Sequence, residues 1–137
     1  MIMKRILYFV FAALCLASCT KEDNQSTFQK ICHKWELVRW ENYRESVLET
    51  TQEGNFTDYM YSFSEDGSVK IFKKDGSVNE YIFTYDEDTK VLNIPKLNHE
   101  YVVESVSSTE LKWRYDSWAI GSSGPVSFQS YYYFTRR

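Results

Sequence analysis

Along most of the chain, apolar and polar residues alternate with a period of two, in short runs separated by turn-forming residues. Residues 31–40 place Ile31, His33, Trp35 and Leu37 on one side and Cys32, Lys34, Glu36 and Val38 on the other, which predicts a first strand with Trp35 facing inward. Residues 57–64 align Tyr59, Tyr61 and Phe63, residues 68–73 align Val69 and Ile71, and residues 77–85 align Tyr81, Phe83 and Tyr85. Between these runs, Asp66-Gly67 and Asp75-Gly76 mark tight hairpins, whose turns need a residue that tolerates positive φ. The Asp-Gly-Ser-Val unit recurs after nine residues, a hairpin's length and well short of the roughly 20 to 50 residues of a solenoid repeat. Further strands are predicted at 91–94, ended by Pro95, at 99–107, at 110–115 with Leu111, Trp113 and Tyr115 in phase, and at 126–135 after a Gly-Ser-rich loop. Residues 41–56 fit a long loop, a short helix or an irregular strand equally well, and no amphipathic helix stands out. About eight short strands joined by hairpins predict an all-β fold: a single up-and-down antiparallel meander closing into a barrel, which leaves no free sheet edges. Eight strands enclose an interior that side chains fill or that holds one small ligand.

The N-terminus breaks the pattern. Lys4 and Arg5 precede eleven apolar residues, Ile6 to Leu16, followed by the small pair Ala17-Ser18, which is the layout of a signal peptide. The run is shorter than the roughly 20 residues a spanning helix needs. Leu16-Ala17-Ser18-Cys19 resembles the bacterial lipobox, which implies cleavage before Cys19 and acyl chains, palmitate among them, on its thiol. Several acyl chains hold a protein on a membrane face, each methylene contributing about 0.8 kcal/mol. The domain order is then a signal peptide over 1–18, the lipidated cysteine and a polar tether over 19–29, and a barrel over 30–137. Glu22-Asp23 directly behind Cys19 resembles the lipoprotein export signal of Bacteroidota, which implies an outer-membrane location with display at the cell surface; ordinary tether composition also yields such a pair.

Composition narrows the partners. The 137 residues suffice for one domain, and 16 Lys plus Arg against 19 Asp plus Glu give a net charge of −3, which speaks against a nucleic-acid partner. Losing residues 1–18 removes Lys4 and Arg5 and no acid, so the remaining chain is more acidic still. Cys15 leaves with the leader and Cys19 carries lipid, so Cys32 is the single remaining thiol and no internal disulfide forms.

Catalytic chemistry finds little support. A nucleophilic Cys32 needs a histidine base, yet the adjacent His33 points to the opposite face of a strand. His33 and His99 are the only two histidines, and there is no G-x-S-x-G elbow and no C-x-x-C pair. Asp86-Glu87-Asp88 lacks the spacing of a calcium loop and reads as a solvated turn. No metal, no cofactor and no enzyme activity are expected. Aromatics, in contrast, are abundant at 18%, and Tyr131-Tyr132-Tyr133 must place at least one ring outward and one inward.

Several segments taken in order carry a family resemblance. His33-Lys34-Trp35-Glu36-Leu37, Tyr61-Ser62-Phe63-Ser64-Glu65-Asp66-Gly67-Ser68-Val69, Thr84-Tyr85-Asp86, Leu92-Asn93-Ile94, Ser108-Thr109-Glu110-Leu111 and Tyr133-Phe134-Thr135-Arg136 together resemble the lipocalin-like domain of Bacteroidota lipoproteins. One departure is His33, where lipocalin-type first strands usually carry a glycine two residues before the tryptophan. The resemblance implies a small barrel with an apolar pocket. Two functions follow from it: a carrier of a small hydrophobic or amphiphilic ligand lined by Trp35, Tyr61, Phe63, Tyr81, Phe83 and Trp113, or a filled barrel that meets a protein partner through loops at 42–56 and 117–125 and a patch around Trp40, Trp118 or Tyr132.

Overall fold

A computed structural model describes residues 25–137; the leader, Cys19 and the Glu22-Asp23 pair lie outside the described residues. The described chain opens with a one-turn helix, α1 (Thr27–Ile31), where the pattern predicts tether and strand. Ser26 caps it: its hydroxyl accepts from the Gln29 amide, and the Gln29 side chain accepts from the Ser26 amide, both at 3.1 Å. The tether therefore ends earlier than residue 29, and the first strand starts at Lys34.

Ten strands follow: β1 (Lys34–Arg44), β2 (Val47–Gln52), β3 (Asp58–Phe63), β4 (Ser68–Lys73), β5 (Val78–Ile82), β6 (Thr84–Tyr85), β7 (Val91–Ile94), β8 (His99–Val106), β9 (Glu110–Gly121) and β10 (Gly124–Arg136). All pairings are antiparallel, in the order β5-β4-β3-β1-β10-β9-β8-β7-β6, with β2 beside the outer half of β1. Two of the passes are interrupted. Both β2 and β3 run antiparallel to β1, pairing its second and first halves in turn, and β5 and β6 are separated only by Phe83. The sheet has ten strands where the alternation predicts about eight, because β2 is an added strand and the run 77–85 splits at Phe83 into β5 and β6; these join the two ends of the sheet by pairing β4 on one side and β7 on the other. The up-and-down barrel is thus nearly closed.

Residues 41–56, left open by the sequence, form the end of β1, a turn at Glu45-Ser46 with both residues at positive φ, and β2. The Asp-Gly turns form where expected: Asp66 Oδ1 accepts from the amide and hydroxyl of Ser68, Asp75 Oδ1 does the same for Ser77, and Gly67 and Gly76 sit at φ near +90°. The turn Asp86-Glu87-Asp88 also has a local role. Asp86 Oδ1 accepts from the amides of Asp88 and Thr89, and Glu87 Oε1 accepts from the Phe28 amide, tying α1 to the base of the barrel.

The base is packed with rings and branched aliphatics: Trp35, Phe63, Val69, Phe83, Leu92, Ile94 and Leu111 are buried in one cluster. Phe28 of α1 stacks on Phe83 at 5.7 Å, and Trp35 Nε1 donates to the Ile31 carbonyl at 2.8 Å, so helix and barrel close the base together. At the other end, β1, β2, β9 and β10 extend past their neighbours. Twelve residues of β9 at about 3.3 Å each span roughly 40 Å.

Candidate functional site

Two β-bulges decide which side chains face the open end. On β1, Leu37 pairs with Phe134 but Arg39 already pairs with Tyr133, so Val38 is an extra residue and the alternation flips. Trp40, on the outward side by simple counting, turns inward and stacks on Tyr132 at 5.9 Å. On β3, a shift between Asp58 and Met60 sets Asp58 opposite Lys73, two residues beyond inward-facing Ile71. Asp58 therefore stands on the interior rim above Tyr61.

Below the rim lies a floor of tyrosines. Tyr101 stacks on Trp113 at 4.7 Å, meets Tyr132 edge-on at 6.0 Å and Tyr115 at 5.9 Å, and its hydroxyl lies 2.9 Å from His99 Nδ1. Tyr61 meets Trp113 edge-on at 5.4 Å. Burial holds Tyr132 protonated up to about 12 and pushes Tyr61 and Tyr101 up as well; Tyr132 and Asp58 add to both upward shifts. Farther out on the same inner side, Ser130 Oγ donates to Asn42 Oδ1 at 2.7 Å and Asn42 Nδ2 donates to Thr50 Oγ1 at 3.0 Å.

Three side-chain atoms here are buried without a hydrogen-bond partner: Trp40 Nε1, Trp113 Nε1 and Asp58 Oδ1. An unmet buried polar group costs about 1 to 3 kcal/mol. Lys73 Nζ lies 4.0 Å from Asp58 Oδ1, close enough for attraction and too far for a hydrogen bond. The mouth thus combines aromatic faces, one carboxylate, one ammonium and unmet indole donors.

The six residues predicted to line a pocket divide between two places. Trp35, Phe63 and Phe83 fill the base, and Phe63 and Phe83 meet at 4.9 Å. Tyr61 and Trp113 form the floor of the mouth, while Tyr81 is half-buried against the core. Of the surface patch expected around Trp40, Trp118 and Tyr132, only Trp118 is exposed, at 71%: the Val38 bulge turns Trp40 inward, and Tyr132 faces inward in phase with buried Phe134 on β10. The supposed loop 117–125 is mostly strand. Tyr131 and Tyr133 face outward beside Tyr43 in a cleft of about 290 Å³, with Lys112 Nζ above both rings at 4.8 and 5.0 Å.

Other candidate chemistry does not assemble. Burial, aided by Glu65 and Asp66, raises the Cys32 thiol to about 11, which keeps it protonated at neutral pH. His33 faces a cleft of about 380 Å³ with Lys30 and Arg136, and burial, then Arg136, lowers its pKa. Among the described residues no group of three His, Cys, Asp or Glu gathers around a common point.

No family model and no curated protein matches this chain. Among solved structures it is similar to a deswapped triple mutant of bovine odorant binding protein, with 18% identity over 79% of this chain and 74% of that one and a TM-score of 0.43.

Proposed function

We propose that this protein is a lipid-anchored component of the bacterial cell envelope that binds a small hydrophobic or amphiphilic molecule at the mouth of its barrel. The observation that carries the reading is the set of unmet buried polar atoms on Trp40, Trp113 and Asp58, gathered over a floor of tyrosines. Side chains that need partners, surrounded by aromatic surface, suit a ligand with an apolar body and a polar head. The role is binding, not catalysis.

The lipobox at Cys19 supports attachment to the outer membrane, and Glu22-Asp23 supports display at its surface. Gln25, the first described residue, sits at the base of the barrel beside Lys30 and Arg136. Substituting Cys19→Ser is expected to move the protein from the membrane fraction to the soluble one. All described strands and core contacts lie within residues 25–137, so a chain of residues 20–137 keeps them. Native mass spectrometry of that chain tests ligand binding: a mass excess that disappears on denaturation supports it. Equal native and denatured masses, persisting after exposure to envelope extracts, would overturn it.

A second reading has its own support. Trp118 and Ile120 are 71% and 79% exposed on the outer side of the projecting β9 end, which suits contact with a protein partner. Loss of that contact on Trp118→Ser, with ligand binding unchanged, would separate the two roles.

A further inference from the structure

We propose that the mouth selects a small organic cation, with the carboxylate of Asp58 and the surrounding aromatic faces as the seat of its charged head and Lys73 as the group it displaces. The inference rests on the ligand-binding reading above.

Asp58 presents one buried oxygen with no hydrogen bond, and its side chain is otherwise 43% exposed, so a ligand reaches it from solvent. The β3 bulge aims it at the interior, beside Tyr61. The rings whose ionisation feels its charge are Tyr61 and Tyr101, and from Tyr101 the aromatic surface continues to Tyr132 at 6.0 Å and on to Trp40 at 5.9 Å. Aromatic faces carry negative quadrupole density that attracts ammonium groups, most strongly where water is excluded. Asp58 already opposes ionisation of Tyr61 and Tyr101, which places its charge within reach of both.

Among the described residues, the cation paired with Asp58 is Lys73, at 4.0 Å and 35% exposed, with no hydrogen bond between them. A primary or quaternary ammonium on a ligand replaces this loose pairing with a closer one, and Lys73 swings to solvent on its flexible stem. An anionic head group meets the opposite situation: it gains Lys73 but faces the Asp58 carboxylate and the ring faces.

The test uses three six-carbon probes that differ only in the head: hexyltrimethylammonium, 1-hexanol and hexanoate, titrated calorimetrically into residues 20–137. The cation is expected to bind tightest. Asp58→Asn, nearly the same in shape, should weaken it about tenfold or more, since a charge-assisted contact is lost. Lys73→Met should strengthen it several-fold by removing the internal competitor. Preference for hexanoate, or indifference of cation affinity to Asp58→Asn in a protein with unchanged circular dichroism, would overturn the inference. If hexanol binds as well as the cation, ligand binding at the mouth survives and cation selection falls; if no probe binds and native mass spectrometry finds no ligand, both fall. An ammonium on a membrane lipid shares this chemistry, and Asp58-dependent sedimentation with phosphatidylcholine vesicles distinguishes that source from a free amine.

Discussion

The two ends of the barrel solve the same problem in opposite ways. Each holds a large indole inside the sheet. At the base, Trp35 is fully buried and its Nε1 donates to the Ile31 carbonyl of the capping helix at 2.8 Å. At the mouth, Trp113 is equally buried and Trp40 half-buried, yet neither indole nitrogen has a partner. The base is complete by itself: rings meet rings, the helix closes the end, and Glu87 and Ser26 satisfy the amides of that helix. The mouth gathers four tyrosines and two tryptophans around groups that want something more. A barrel of this size cannot hold both a packed core and a deep central cavity, so completeness at one end leaves binding to the other.

Substitutions should expose that contrast. The largest effect is expected at the base, where Phe83→Ala removes a ring that stacks on Phe28 and meets Phe63 edge-on and should cost about 3 to 5 kcal/mol in denaturant unfolding. A loss below about 1 kcal/mol would mean that the base is not the packed half.

Alkali should act on the mouth. The folded state raises the Tyr132 pKa from 10 to about 12 through burial, and raises those of Tyr61 and Tyr101 too. A raised phenol pKa adds stability that is fully present below the unfolded value and is lost as pH climbs through the folded one. Stability should therefore fall between pH 10 and about 12, on the order of 2 kcal/mol for Tyr132 alone. Ultraviolet titration of phenolate, with denaturant midpoints across the same range, checks this; tyrosines that all ionise near 10 in the folded protein would refute it.

Ser26→Ala should cost about 1 kcal/mol by removing the cap of α1. The smallest and most telling change is Trp40→Phe. It keeps a ring beside Tyr132 while deleting an unmet donor, so the free protein should be unaltered or slightly more stable, within about 1 kcal/mol, as ligand affinity falls. A large destabilisation would mean that the Trp40 nitrogen has a structural partner.

Much of the base is legible in the residue pattern. Alternation alone puts Trp35, Phe63, Val69, Ile71 and Phe83 inside, and Asp66-Gly67 and Asp75-Gly76 fix two of the hairpins. Helix α1 left a readable mark as well, the Ser26-Thr27-Phe28-Gln29 capping box, hidden by a polar stretch that looks like tether. The mouth is less legible for a specific reason. Its two decisive residues, Trp40 and Asp58, reach the interior through bulges at Val38 and between Asp58 and Met60, and no glycine or proline marks either place. A bulge shifts the parity of every residue after it, so period-two counting sends Trp40 outward.

Four indole N–H groups report on four positions: Trp35 at the base, Trp40 and Trp113 at the mouth, and Trp118 on the projecting strand. The most direct measurement is a ¹H–¹⁵N spectrum of their side-chain signals during titration with hexyltrimethylammonium. Binding at the mouth moves Trp40 and Trp113 together and leaves Trp35 and Trp118 in place. Movement of Trp35, or of Trp118 alone, with Trp40 unchanged would contradict a ligand site at the barrel mouth.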